Sequence, residues 1–266
     1  MADTVLYEVK DGLATITINR PEAMNAMNVE AKEALRDSAL AAAADESVRA
    51  VLLTATGRAF CVGQDLKEHI SLLVSDREAG TSHTMNTVRD HYNPIVRALT
   101  EMPKPVVAGV NGVTAGAGLG FALAADYRVV ADSAKFTTSF AGVALTADSG
   151  VSWTLPRLIG ASRAADLLLF PRSISAQEAY DLGIANKLVP AEDLAAEAAA
   201  VARALADGPT VAYAAIKESL AYGAAHSLAE TLAKEDELQT RAGASEDHAI
   251  AVQAFVAKEK PRYLGR

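Results

Sequence analysis

Two short glycine-rich segments, each placed directly after an apolar run, constrain the fold of this chain most. The first spans residues 59–66 and follows the run 48–54; the second spans 111–120 and follows 105–110. Small residues at a strand end leave backbone N–H groups open to an approaching ligand atom. Two such groups converging on one point would form an oxyanion hole, which stabilises negative charge on a carbonyl oxygen. Glycines after strands also serve turns and helix packing, so the pattern alone leaves a structural role open.

The spacing of the second segment argues against two other glycine-rich sites. Gly116, Gly118 and Gly120 lie closer together than a dinucleotide fingerprint requires, and no suitably placed acidic residue follows a later strand. Neither segment is completed by the Lys and Ser or Thr of a P-loop. The two segments therefore favour an oxyanion site over a nucleotide-phosphate site.

The bulk composition is that of an ordinary α/β protein with an acidic balance. The chain has 266 residues, a formal net charge of −8 and a pI near 5.2, which argues against nucleic acid as a partner. Its one cysteine, Cys61, excludes intrachain disulfides and cysteine-based metal sites, and a small buried packing role is expected for it. The amino end has no signal-peptide pattern, and no apolar run reaches the ~20 residues of a membrane helix. We expect a cytoplasmic protein with no membrane partner and no metal.

The hydrophobic pattern predicts strands and helices in alternation. Residues 4–9 and 13–18 read as a β-hairpin, residues 29–44 as a helix capped by Asn28, and 93–100 as a helix ended by prolines. Residues 67–90 are polar and mixed, and we interpret them as a mobile segment near the ligand. Strand, glycine loop and helix recur over 106–125, and 127–131 is a further strand. Helices are predicted near 150–160, 162–170 and 176–182, and only helices from 191 onward.

Four segments resemble the enoyl-CoA hydratase/isomerase (crotonase) superfamily. They are residues 20–27 (RPEAMNAM), 57–66 (GRAFCVGQDL), 103–112 (PKPVVAGVNG) and 131–136 (ADSAKF), in family order along essentially the whole chain. The resemblance implies an α/β fold, a spiral of repeated ββα units over residues 1–195. Residues 196–266 would form a helical region for assembly into a homotrimer or homohexamer. Apolar stripes on these last helices must in any case be covered by the core or another subunit.

The resemblance also implies a site for an acyl-CoA thioester. The backbone N–H groups of Gln64 and Ala117 would bind the thioester carbonyl, and Val62 would add bulk beside it. Coenzyme A would be part of the substrate, with no separate cofactor, and would lie along Met24–Ala26 and the start of the loop at Ala59. Phe255 and Lys258 would contact it from a neighbouring subunit. The candidate substrate-binding residues are Met24, Ala26, Ala59, Val62, Gly63, Gly116, Phe140, Phe255 and Lys258.

The chain departs from the hydratases of this family at both catalytic glutamates, whose positions hold Gly120 and Phe140. One acidic residue remains in this stretch, Asp148. The residues alone favour a helix N-cap for it, with Ser149 as the alternative cap. The resemblance instead implies a proton carrier, since isomerising members hold an aspartate there. Apolar neighbours would raise its pKa towards a useful range: Phe140, Val143, Leu145, Val151 and Trp153.

One carboxylate suffices for a proton shift, because the base and its conjugate acid are the same group, whereas hydration gains less from a single group. We therefore expect an acyl-CoA isomerase with Asp148, Gln64 and Ala117 as catalytic residues. Finer resemblance, including residues 92–94 and 153–157, points to the branch that isomerises ring-epoxidised phenylacetyl-CoA and shifts enoyl-CoA double bonds. Two alternatives stay open: an enoyl-CoA hydratase with Asp148 as sole acid/base, and a non-catalytic acyl-CoA binder or assembly subunit.

Overall fold

Two sheets organise the computed structural model, which describes residues 3–266. The larger sheet has six strands in the order β1-β2-β3-β5-β7-β10, and the smaller has four in the order β4-β6-β8-β9. The strands are β1 (Val5–Lys10), β2 (Leu13–Ile18), β3 (Ala50–Ala55), β4 (Ala59–Cys61), β5 (Val106–Val110), β6 (Val113–Ala115), β7 (Tyr127–Ala131), β8 (Lys135–Thr137), β9 (Ile174–Ser175) and β10 (Lys187–Val189). The helices are α1 (Val29–Ala44), α2 (Leu66–Ala79), α3 (Asn93–Glu101), α4 (Ala117–Ala124), α5 (Val151–Ile159), α6 (Ala161–Leu169), α7 (Ala176–Asp181), α8 (Leu194–Ala206), α9 (Thr210–Gly223), α10 (Leu228–Gly243) and α11 (Glu246–Ala257).

A hairpin starts the larger sheet, and parallel strands continue it. β1 and β2 are antiparallel, with Val5 opposite Ile18, and β2, β3, β5, β7 and β10 then run parallel. Every residue of β5 is buried, as expected for a parallel strand covered on both faces. The predicted hairpin, strands and parallel sheet are confirmed.

The chain moves from the larger sheet to the smaller one and then into a helix, and it repeats this path. β3, β4 and α2 form one such unit, and β5, β6 and α4 form the next. This repetition confirms the predicted ββα spiral. Because β4 and β6 are parallel neighbours, with Ala59 opposite Val113 and Cys61 opposite Thr114, the loops after them emerge side by side. We call these two stretches, residues 62–65 and 116–118, the oxyanion loops.

Residues 67–90 are largely helical, a structure that sequence reasoning did not predict for them. Their expected mobility near the ligand stays a prediction. Asp65 starts α2 by accepting hydrogen bonds from the backbone N–H groups of Lys67 (3.1 Å) and Glu68 (3.3 Å), and Gly80 ends it with φ +67°. A short 3₁₀ turn at Thr84–Asn86 and a π-helical turn at Val88–Tyr92 lead into α3. Leu66, Ile70, Leu73 and Val74 recur at helical spacing in this segment, a signal that sequence reasoning overlooked. No residue of α2 is buried, so these apolar side chains are exposed.

The carboxyl-terminal part is helical, as predicted. α8 packs on the larger sheet, so the predicted boundary between residues 195 and 196 falls inside this helix and stays a prediction. α9 and α10 pack against each other, and the buried Asp247 accepts hydrogen bonds from the N–H groups of Leu264 (2.6 Å) and Gly265 (2.9 Å). Large apolar side chains stay exposed on these helices: Leu220, Leu228, Leu232, Val252, Phe255 and Val256. Within residues 3–266, no helix has the length and apolar character needed to cross a membrane.

Candidate active site

The two oxyanion loops touch through backbone atoms. Gly63 has φ +83°, and a Cβ atom placed on it would lie 3.1 Å from the carbonyl oxygen of Ala115 and 3.2 Å from the N atom of Ala117. Glycine at residue 63 therefore gives both the left-handed backbone and the close approach. The first loop consequently lies against the start of α4, as the oxyanion hypothesis requires.

The N–H groups of Gln64 and Ala117 are free for a ligand. Met27 N–H donates to the Gly63 carbonyl (2.7 Å) and Asp65 N–H donates to the Met27 carbonyl (3.1 Å), so the groups flanking Gln64 N–H are used. Among residues 3–266, Gln64 N–H itself has no backbone acceptor. Ala117 is the first residue of α4, where an N–H has no acceptor inside the helix and the dipole favours negative charge. The arrangement can hold a developing oxyanion.

Cys61 has the packing role expected from the sequence. It is fully buried, and a Cβ atom on Gly118 would lie 2.1 Å from its carbonyl oxygen, so α4 lies directly on β4. Burial raises the pKa of the Cys61 thiol to about 12, although an N–H from Gly63 opposes the effect. A thiol with so high a pKa is a poor nucleophile at neutral pH.

The segment predicted to lie along coenzyme A is tied to the first oxyanion loop. Met24 and Asn25 both have positive φ, +53° and +58°. Asn25 Nδ2 donates to the carbonyl oxygens of Ala59 (2.7 Å) and Thr56 (2.8 Å). Arg20 donates to the carbonyl of Ala26 and pairs with Asp65 at 3.0 Å. The structure therefore places Met24, Ala26, Ala59, Val62 and Gly63 in one continuous region beside Gln64.

Asp148 does not cap α5, so the N-cap interpretation was wrong. That helix starts at Val151 with Gly150 as its cap residue, and no side chain caps it. Asp148 is half-buried and accepts a hydrogen bond from the Ser149 hydroxyl at 2.8 Å. Ser149 is buried and holds φ +51°, a backbone conformation uncommon outside glycine that often accompanies functional sites.

Burial raises the pKa of the Asp148 carboxyl, while the Ser149 hydroxyl and the positive charge of Lys32 act in the opposite direction. The raised value agrees with the sequence-based expectation, but three of the five apolar neighbours expected to cause it are largely exposed. Val143 is 57% exposed, Trp153 45% and Leu145 43%. Phe140 and Val151 are buried. Asp148 lines a cavity of about 320 Å³ with Met85, Val88, Asn93 and Leu145.

Position 120 has no room for a glutamate side chain, and position 140 is occupied by a buried apolar side chain. A Cβ atom on Gly120 would lie 2.4 Å from both the Cβ atom and the carbonyl oxygen of Ser149. Phe140 is buried in the core rather than facing an open surface. Gly120 lies three residues after Ala117, just under one helical turn and roughly 4.5 Å along the axis. Its contact with Ser149 therefore places the Asp148 segment against the first turn of α4.

Sequence reasoning missed Lys32 and the role of Tyr92. Lys32 lies on the buried face of α1 with Leu35, and it is 1% exposed. Its ammonium lies 5.2 Å from the centroid of the Tyr92 ring. The Tyr92 hydroxyl donates to Gln64 Oε1 at 2.6 Å. A lysine on the apolar face of a predicted helix was the available signal, since a lone buried ammonium is costly.

Phe255 and Lys258 are not joined to this region within the chain. Phe255 is 85% exposed on α11, and Lys258 ends that helix with φ +58°. α11 packs on α10. Their predicted contact with coenzyme A would come from another subunit and stays a prediction.

The ββα spiral is a crotonase-type fold. The N–H groups of Gln64 and Ala117, together with the half-buried Asp148, form a candidate site of the same type. A family model described as enoyl-CoA hydratase/isomerase matches residues 8–266, and the chain belongs to this family of enzymes. A probable enoyl-CoA hydratase of Rhodobacter capsulatus is 41% identical over 99% of this chain and 98% of its own. A 1,2-epoxyphenylacetyl-CoA isomerase of Escherichia coli is 38% identical over the full length of both. An enoyl-CoA hydratase/isomerase structure from Mycobacterium abscessus has a TM-score of 0.94 and 46% identity, covering 98% of this chain and 100% of its own.

Proposed function

We propose that this protein is an acyl-CoA isomerase that shifts a double bond, or isomerises a ring epoxide, through an enolate. The observation that carries the proposal is Asp148, a half-buried carboxylate with a raised pKa that caps no helix. Its neighbour Ser149 packs against Gly120 of α4, the helix that starts at Ala117. The relatives include both isomerases and hydratases by name, so the choice between them depends on the site.

In the proposed double-bond shift, the N–H groups of Gln64 and Ala117 bind the thioester oxygen of a 3-enoyl-CoA. Their dipoles acidify the C2 protons and stabilise the enolate that follows. Asp148 removes one C2 proton, the double bond moves from C3–C4 to C2–C3, and Asp148 returns the proton to C4. No atom enters or leaves, and the carboxylate is regenerated. A carboxylate whose pKa is raised by burial is suited to both halves of this transfer.

Hydration is the second candidate, because the Rhodobacter capsulatus relative is named as a hydratase. Adding water requires a group that positions and deprotonates the water and a group that protonates C2. Gly120 and Phe140 replace the carboxylates that would serve here, and both are packed against neighbouring atoms. The lone Asp148 supports isomerisation over hydration.

For the ring-epoxide reaction, the support is the 38% identity to a 1,2-epoxyphenylacetyl-CoA isomerase across the whole chain. We further propose that the protein assembles as a trimer or hexamer, in which Phe255 and Lys258 of one subunit reach coenzyme A bound to another. The exposed apolar side chains of α9–α11 support such an assembly.

The test is an assay of the purified protein with 3-hexenoyl-CoA, crotonyl-CoA and a ring-epoxidised phenylacetyl-CoA, with products separated by chromatography. We expect conversion of 3-hexenoyl-CoA to 2-hexenoyl-CoA, or isomerisation of the epoxide, and slow hydration of crotonyl-CoA. D148N should lower this turnover about 10²- to 10⁴-fold and leave acyl-CoA binding in place. The exposed Asp132 gives the matched control D132N, which should keep wild-type turnover.

Fast hydration of crotonyl-CoA without isomerisation of either other substrate would contradict the proposal in favour of a hydratase. Binding of all three thioesters with no turnover of any would favour a non-catalytic acyl-CoA binder. Equal activity of D148N and wild type would remove Asp148 from the mechanism.

A further inference from the structure

Lys32 is a buried cation whose charge the neighbouring carboxylates do not neutralise by direct contact. It is 1% exposed, and burial lowers its pKa while the more distant charges of Glu68, Asp65 and Asp148 oppose that effect. Each of these carboxylates is engaged elsewhere. Glu68 accepts a hydrogen bond from Val29 N–H at 2.9 Å, Asp65 pairs with Arg20, and Asp148 accepts from Ser149.

Not every N–H group of the Lys32 ammonium has a hydrogen-bond acceptor within residues 3–266. A lysine ammonium carries three N–H groups, and among residues 3–266 its hydrogen-bond acceptor is Thr87 Oγ1, 2.8 Å away. The Thr87 oxygen also lies 3.2 Å from His91 Nδ1. Burying an ammonium with donors unused costs free energy, so an apolar residue at position 32 would serve the packing of α1 better.

Lys32 lines a cavity of about 190 Å³, which corresponds to roughly six water molecules at ~30 Å³ each. Polar side chains dominate its wall: Gln64, His83, Thr84, Thr87 and His91. Gln64 also supplies one of the proposed thioester-binding N–H groups. The cavity is therefore lined both by Lys32 and by the residue whose N–H is proposed to bind the thioester.

We propose that Lys32 is a specificity-determining residue that donates a hydrogen bond to an oxygen atom carried on the acyl chain. The substrate class is an acyl-CoA with a hydroxyl, carbonyl or epoxide oxygen beyond the thioester. This inference rests on the proposed function for the placement of the thioester at Gln64 and Ala117. In addition to the backbone hydrogen bonds from the oxyanion loops, the substrate would receive a side-chain hydrogen bond from Lys32 on α1.

The experiment measures binding rather than turnover, because Lys32 also influences Asp148. Dissociation constants of hexanoyl-CoA and of 4-, 5- and 6-hydroxyhexanoyl-CoA are determined by calorimetry for wild type and K32M. We expect wild type to bind at least one hydroxylated thioester about 10- to 100-fold more tightly than hexanoyl-CoA, as a charged hydrogen bond allows. K32M should lose this preference and keep its affinity for hexanoyl-CoA. The exposed Lys10 gives the control K10M, which should keep the preference.

Equal wild-type affinities for all four thioesters would overturn the proposal, and this comparison requires no variant to fold. A K32M protein that keeps the preference, or that loses affinity for hexanoyl-CoA as strongly as for the hydroxylated thioesters, would overturn it as well. None of these thioesters contains a double bond to shift. If the isomerisation assay fails but the binding preference is found, the proposed function is wrong and this inference stands. If isomerisation is found without the binding preference, this inference alone is wrong.

Discussion

Gly120 and Ser149 are packed so closely that a Cβ atom on Gly120 would lie 2.4 Å from the Cβ atom and from the carbonyl oxygen of Ser149. The contact joins α4, whose first residue is Ala117, to the segment that carries Asp148. Glycine at position 120 is therefore required for the approach of the acid to the oxyanion loops. The same contact excludes a glutamate at position 120 without a shift of the Asp148 segment.

Replacement of Gly120 by alanine should destabilise the protein, because the added methyl group meets backbone atoms that cannot rotate away. We expect a loss of about 1–3 kcal/mol in the free energy of unfolding, typical of overpacking, measured by urea denaturation. Gly142 has open space around its Cβ position, so G142A is the matched control and should change little. A G120A protein as stable as G142A would contradict the packing described here.

The Tyr92 hydroxyl holds the Gln64 side chain through the 2.6 Å hydrogen bond to Oε1, and Tyr92 is 2% exposed. Y92F should cost about 1 kcal/mol in the free energy of unfolding and should lower kcat/KM for the proposed isomerisation, because the N–H of Gln64 is proposed to bind the thioester. The exposed Tyr180 provides Y180F as a control for the loss of a hydroxyl group. Equal effects of the two substitutions on kcat/KM would show that the Tyr92–Gln64 bond does not support the site.

The pH dependence of isomerisation should report the raised pKa of Asp148. Proton removal from C2 requires the carboxylate, so kcat/KM should fall on the acid side at a pH above that of an ordinary aspartate. The positive charge of Lys32 lowers this pKa, whereas burial raises it. K32M should therefore move the acid limb to still higher pH, and K10M should leave it in place. A limb that is unchanged or lower in K32M, in a pH profile with 3-hexenoyl-CoA, would contradict the coupling.

The raised pKa of Asp148 also predicts a stability effect. Its folded pKa lies above the unfolded value, so the wild-type protein loses stability as the pH rises through this interval and keeps the penalty above it. D148N has no charge to bury and should melt at a higher temperature than wild type at neutral pH. The difference should shrink as the pH falls from the folded pKa of Asp148 to its unfolded pKa. D132N makes the same substitution at an exposed aspartate and is the control for the substitution itself in thermal scans. A D148N protein that melts at or below the wild-type temperature at neutral pH would contradict the prediction.

The exposed apolar face of α11 should lie in a subunit interface. Val256 is 77% exposed, and an aspartate there would place a charge in the contact. We expect wild type to sediment as a trimer or hexamer and V256D to sediment as a smaller species. V9D, at a 39% exposed valine of the edge strand β1, should keep the wild-type assembly. A monomeric wild-type protein would contradict the proposed assembly.

The sequence predicted the elements whose patterns are local and strong. α1 was predicted with its bounds and its Asn28 cap, because an N-cap residue precedes a long run of helix formers. The oxyanion loops were predicted as glycine-bearing strand ends, and their contact follows from the pairing of β4 with β6. α2 was missed because the segment was judged by its polar and mixed composition, although Leu66, Ile70, Leu73 and Val74 recur at helical spacing.

Features that depend on tertiary packing were harder to predict. Asp148 looked like a cap because an acidic residue before a helix usually is one, and only the structure shows Gly150 in that place. The apolar residues near Asp148 in the sequence include Val143 and Leu145, which are exposed, since neighbours along a loop need not be neighbours in space. Lys32 was overlooked because a charged residue in an alanine-rich helix suggests solvent.

Cys61 lies directly beneath Gly118, so the reactivity of its thiol reports whether α4 is packed on β4. With its side chain wholly covered and protonated at neutral pH, the sulfur should resist aromatic disulfide reagents as long as α4 stays on β4. Any slow labelling of this thiol would measure how often α4 separates from β4, and hence how often the proposed thioester site is transiently disrupted.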